Sequence, residues 1–144
     1  MKVFLDTSVL VASAVARHPH HDRAMAVITR VLSKEDRGLV AAHSLAETYA
    51  VLSTLPVTPR IGPEVAAKLV DANVADRFEV IALTAREYLQ LVRKLPDRGV
   101  MGGATYDALQ LACARKSGAE RIFTFNVRHF RRLDPELAGR VVAP

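Results

Sequence analysis

Four short apolar runs recur along the chain: Val3-Phe4-Leu5, Leu39-Val40-Ala41-Ala42, Val80-Ile81-Ala82-Leu83 and Ile122-Phe123-Thr124-Phe125. Each is short enough to read as a strand, and the segments between them carry apolar residues at helical spacing. From Asp22 to Ser33, for example, Ala24, Val27, Ile28, Val31 and Leu32 fall on one helical face. Strands alternating with helices predict an α/β sandwich, because consecutive parallel strands need a crossover helix to join them. Val141-Val142 is a candidate fifth strand.

Boundary signals divide the chain further. Thr7 and Ser8 are suited to cap a buried helix over Val9 to Ala16. His18-Pro19-His20-His21 breaks it and reads as a surface loop rather than a metal-binding tract. Gly38 is expected to stop the helix that begins at Asp22. Ser44-Leu45-Ala46-Glu47 and Thr84-Ala85-Arg86-Glu87 both have capping-box form, opening helices to about Leu55 and Leu95. Pro56 to Pro63 is a loop, and Pro63 suits the first turn of a helix to about Ala75. Pro96 to Gly103 is a glycine-rich connection, and Gly118 closes a helix over Thr105 to Lys116.

A length of 144 residues argues for a single domain over residues 1–144, and a hydrophobic share of 50% excludes wholesale disorder. The lone Cys113 excludes an internal disulfide or a cysteine-based zinc site. No apolar stretch approaches the roughly 20 residues a spanning helix needs. Lys2, an apolar stretch and Ala14-Val15-Ala16 mimic a secretion signal, but Asp6 interrupts the apolar region. The expectation is a cytoplasmic protein with no membrane partner. The formal net charge of +5 arises mainly between Arg115 and Arg140, where seven basic residues face three acidic ones. That segment is either a solvated face or a surface for phosphates.

Open parallel sheets bind ligands beyond the carboxyl ends of their strands. Asp6 ends the first strand, Glu47 opens the helix after the second, Asp107 opens the helix before the fourth, and Asn126 follows the fourth. Each acid has a plain alternative as a helix cap or a dipole partner, and Glu87 shares the local context of Glu47. Three carboxylates in one cleft repel one another, so one takes up a proton or a divalent cation neutralises them. An all-oxygen donor set favours Mg²⁺ or Mn²⁺ over zinc. Such an ion can activate water and clamp a phosphodiester.

Val3-Phe4-Leu5-Asp6-Thr7-Ser8, Ser44-Leu45-Ala46-Glu47, Gly102-Gly103-Ala104-Thr105-Tyr106-Asp107-Ala108-Leu109 and Thr124-Phe125-Asn126 together resemble the PIN-domain ribonucleases. The likeness is strongest to the VapC-type toxins of toxin–antitoxin pairs. It covers nearly the whole chain, and its most specific stretch runs from Gly99 to Phe130. The resemblance implies a PIN-like α/β/α sandwich with a mostly parallel sheet of four or five strands in the order 3-2-1-4-5. That order brings Glu47 and Asp107 to Asp6 and leaves Glu87 outside. It further implies Mg²⁺-dependent endoribonuclease activity, with Mn²⁺ as a substitute. Asp6 and Asp107 would be direct metal ligands, and Glu47 would ligate through water or orient the attacking water. An RNA substrate, a cognate antitoxin and a homodimer are the implied partners.

Asn126 stands where the family often has a fourth acid. An amide can still orient water but adds no charge, so one firmly bound ion is expected. Thr7, Ser8 and Thr124 are candidates to hold the carboxylates or substrate, and Arg128 and His129 to contact phosphate. Tyr49, Tyr106 and the five phenylalanines read as core, with no base-stacking platform. Two other functions stay open. One is an RNA-binding or RNA-processing PIN relative outside the toxins. The other is a signalling module phosphorylated on Asp6, which lacks both a second acid at position 8 and the usual lysine at a later strand end.

Overall fold

The computed structural model describes residues 1–144. It contains five strands: β1 (Lys2–Leu5), β2 (Arg37–Ala41), β3 (Glu79–Ile81), β4 (Arg121–Phe123) and β5 (Val141–Val142). Seven α-helices join them: α1 (Thr7–Ala14), α2 (His21–Leu32), α3 (Ala42–Thr54), α4 (Pro63–Val70), α5 (Ala85–Lys94), α6 (Ala104–Ser117) and α7 (Val127–Leu133). A π-helical turn, Asp71–Ala75, extends α4. No helix is long and apolar enough to cross a membrane.

The strands form one sheet in the order β3-β2-β1-β4-β5, and every pair is parallel. This is the expected order. The central strand β1 pairs with β2 through Phe4 and Leu39, and with β4 through Leu5 and Phe123. Alternation along the strands feeds two cores. Phe4, Leu39 and Ile122 face α6 and α7, where Leu111, Cys113 and Phe130 pack. Val3, Leu5 and Val40 face α1 and α2, where Leu10, Ile28 and Val31 pack. A third small cluster, Val11, Leu52 and Ala66, locks α1, α3 and α4 together. Helices therefore cover both faces of the sheet, as a parallel sheet buried on both sides requires.

Several boundaries differ from expectation, and β3 and β4 end two residues early, at Ile81 and Phe123. Gly38 lies inside β2 rather than stopping α2, which ends at Leu32; Lys34 then takes the left-handed turn at φ 63°. A Cβ at position 38 would come within 2.6 Å of Phe78 Cε1 and of Val31 Cγ1, so the glycine serves close approach to the core. Thr7 and Ser8 sit in the first turn of α1 and do not cap it. The capping box at Thr84 forms with both reciprocal bonds, whereas α3 begins at Ala42 and Ser44 lies within it, uncapping.

Candidate active site

Asp6 follows β1 in an extended conformation, φ −71° and ψ 155°, and its backbone N–H bonds to Phe123 O of β4 at 3.0 Å. The side chain thus projects at the carboxyl edge of the central strand. It does not cap α1. Its Oδ2 instead accepts from Ser8 Oγ at 2.8 Å and Thr124 Oγ1 at 2.9 Å. Those hydroxyls are in turn held by backbone: Phe125 N–H donates to Ser8 Oγ, and Asn126 N–H to Thr124 Oγ1. Both hydrogen bonds fall on Oδ2 and leave Oδ1 unbonded.

Asp6 is only 4% exposed. Burial pushes its carboxyl up to about 6; the Ser8 and Thr124 hydroxyls oppose that rise, and the charges of Asp107 and Glu47 reinforce it. The mutual repulsion expected of three acids is therefore present at the buried one.

A cleft of about 390 Å³ opens over Asp6 and is lined by Ser8, Glu47, Asp107 and Asn126 as well. Glu87 is elsewhere: it closes the α5 capping box and pairs with Lys116 at 2.7 Å. The topology thus separates two glutamates that local pattern could not tell apart. Glu47 and Asp107 are not idle in the cleft. His43 Nε2 lies 3.0 Å from Glu47 Oε2, one turn away on α3. His129 Nε2, on α7, lies 2.9 Å from Asp107 Oδ2. Burial raises the Asp107 carboxyl, and His129 opposes that rise.

The donor chemistry suits a hard divalent cation, since a buried carboxylate with a free oxygen faces two further carboxylates. The three acids share the cleft but are not drawn onto one point. No three His, Cys, Asp or Glu side chains stand close enough together to hold an ion between them.

A buried polar tripod ties the carrier helices together. Gln110 Nε2 donates to Thr7 Oγ1 at 3.1 Å and to Ser44 Oγ at 2.8 Å, and Thr7 Oγ1 donates to Ser44 Oγ at 3.1 Å. Thr7 adjoins Asp6; Ser44 and Gln110 lie one turn from Glu47 and Asp107. Thr7 therefore braces the scaffold and also lines the cleft. Gln110, His43 and the cleft wall formed by His18 and His20 were not expected from the sequence. The His43–Glu47 spacing of four is the one local signal that could have shown them.

Most of the basic carboxyl-terminal segment is committed to structure. Arg115 bonds Asp134 and Glu136, while Arg131 and Arg140 bond backbone carbonyls. Arg121, Arg128 and Arg132 bond no acid or carbonyl; Arg128 and Arg132 line a hollow that shares Phe125 and Asn126 with the cleft. His129 lines the same hollow and contacts Asp107 through Nε2 and Arg132 through Nδ1.

The PIN domain family matches residues 3–135. The chain is 39% identical over 116 residues to the protein named Ribonuclease VapC40 of Mycobacterium tuberculosis, covering 80% of each. It is similar in fold to the Mycobacterium tuberculosis VapC20 crystal structure, described as a Sarcin-Ricin loop cleaving toxin, with TM-score 0.69, 22% identity and coverage of 88% and 92%. It is also similar to VapBC2 from Rickettsia felis, bound to a DNA fragment from their promoter, with TM-score 0.66, 22% identity and coverage of 100% and 98%.

Proposed function

Because the chain belongs to the PIN-domain family, among its VapC-type ribonucleases, we propose that it is a Mg²⁺-dependent endoribonuclease, the toxin of a toxin–antitoxin pair. One observation carries this reading. Buried Asp6 presents an unbonded carboxylate oxygen to a cleft it shares with Glu47 and Asp107. Asp6 and Asp107 would hold the ion, with Glu47 joining directly or through water. When bound, Mg²⁺ or Mn²⁺ supplies neutralising charge and a more acidic water.

The residues of the chain do the rest. Ser8 and Thr124 fix Oδ2 of Asp6 and so set where Oδ1 points. Glu47 accepts the proton of the water that attacks phosphorus in line; the P–O bond opposite breaks, and the leaving oxygen takes a proton from solvent. Asn126 orients water at the cleft mouth through its amide. Arg128 and Arg132 draw the phosphate backbone into the adjoining hollow. The cleft has no lysine to assist an aspartyl-phosphate, which weighs against a phosphoacceptor role for Asp6.

A small antitoxin is the proposed protein partner, in keeping with the VapC-type family. A homodimer completes the proposed assembly; sedimentation at micromolar concentration tests it, and a monomer throughout refutes it. The decisive assay is cleavage of cellular RNA with Mg²⁺, with EDTA, and with Asp107→Ala. Cleavage is expected in the first condition alone. Equal cleavage in EDTA removes the metal, and RNA binding without cleavage under all conditions favours an RNA-binding role, which Asn126 in place of an acid would suit.

A further inference from the structure

Tyr106 stands in the first turn of α6, directly before Asp107, and is 52% exposed. It is the most exposed of the three tyrosines; Tyr88 is 42% and Tyr49 38% exposed. It is also the only tyrosine with an aromatic partner: its ring stacks on His43 with centroids 4.8 Å apart and planes 5° from parallel. His43 is fixed in turn by its contact with Glu47. One face of Tyr106 is therefore clamped to a histidine that touches one acid of the cleft, while its own backbone carries another. An ordinary surface tyrosine pivots freely; this one is held flat and half open.

We propose that the Tyr106–His43 stack is a seat for an unpaired nucleobase of single-stranded RNA, next to the phosphodiester held over Asp6, Glu47 and Asp107. The proposal rests on the ribonuclease reading. Unstacked RNA bases are recognised on aromatic faces of this kind, and the interaction tolerates any base because each has a π-face. Pre-clamping by His43 removes the rotamer freedom that stacking would otherwise cost. Charge for the flanking phosphates is at hand in Arg128 and Arg132. A flat ring joined to two of the acids suits a base better than it suits an irregular protein surface.

The test measures binding of short single-stranded RNA to Asp6→Asn protein, which holds substrate without cutting it, by fluorescence anisotropy. Tyr106→Ala should weaken binding about tenfold or more, while Tyr106→Phe and Tyr106→Trp retain it. An oligonucleotide made abasic at the seated position should lose as much affinity to the Tyr106 protein. It should lose nothing further with Tyr106→Ala. In the cleaving protein, Tyr106→Ala should raise KM and Tyr106→Phe should restore it. Equal RNA affinity for Tyr106 and Tyr106→Ala proteins overturns the seat while leaving the ribonuclease reading intact, and so does a loss that adds to every abasic loss. Absence of RNA binding by the Asp6→Asn protein overturns both.

Discussion

Replacing Asp6 by Asn should stabilise the protein at neutral pH while abolishing cleavage. The carboxyl of Asp6 sits at about 6 in the folded chain against its usual 3.8. The folded state thus binds a proton more tightly than the unfolded chain between those limits, and stability falls as pH rises through that window. Above pH 6 the whole penalty is in force. Moving the midpoint from 3.8 to about 6 corresponds to about 3 kcal/mol. Asn is close in shape, keeps an oxygen for Ser8 and Thr124, and carries no charge to desolvate. Chemical denaturation in EDTA at pH 7.5 should show Asp6→Asn more stable by up to about 3 kcal/mol. At pH 4 the advantage should nearly vanish. Adding Mg²⁺ should stabilise only the Asp6 protein, because an ion bound to the native state adds stability by mass action. An Asn variant less stable than Asp6 at pH 7.5, or an advantage unchanged at pH 4, would refute the argument that burial and neighbouring acids strain this carboxylate.

Gln110→Leu should leave stability near neutral: two hydrogen bonds worth about 1 kcal/mol each are lost, but so is the buried Oε1 that has no partner. Its kcat should nevertheless fall about tenfold or more, because the tripod sets acid spacing; unchanged kcat would make it packing only. Gly38→Ala should destabilise by about 1–3 kcal/mol in thermal unfolding, since the new methyl overlaps Phe78 and Val31. Thr84→Ala should cost about 1 kcal/mol through loss of the capping box, with RNA cleavage unaltered. Cys113 is buried and its thiol is pushed up to about 11 by burial, so a thiol reagent at pH 8 should label it only after denaturant is added.

The alternation of apolar runs made the sheet legible, because burial on both faces needs exactly such continuous strands. Strand ends were legible as ligand positions for the same reason, and Asp6 and Asn126 lie where that rule puts them. Caps were less legible. Ser44 and Thr84 share one local pattern, yet only Thr84 caps. Helix α5 has no buried residue and nothing competes for its threonine, whereas Ser44 is fully buried and is claimed by Thr7 and Gln110. Tertiary hydrogen bonding overrides local pattern there. The His129–Asp107 contact joins residues of two helices and leaves no periodic trace. Tyr106 was misread because aromatic character alone suggests core, and only the opening of α6 onto the cleft places it outside.

The tripod reaches across 37, 66 and 103 positions of chain. β1, which carries Asp6, is flanked by a strand from the first third and one from the last. A site assembled this way is incomplete on a partly synthesised polypeptide: until residues 121–126 emerge, Asp6 lacks its β4 neighbour and the Thr124 hydroxyl. On the proposed function, cleavage would therefore begin only once nearly the whole chain has been made, and a product ending before β4 would lack the assembled site.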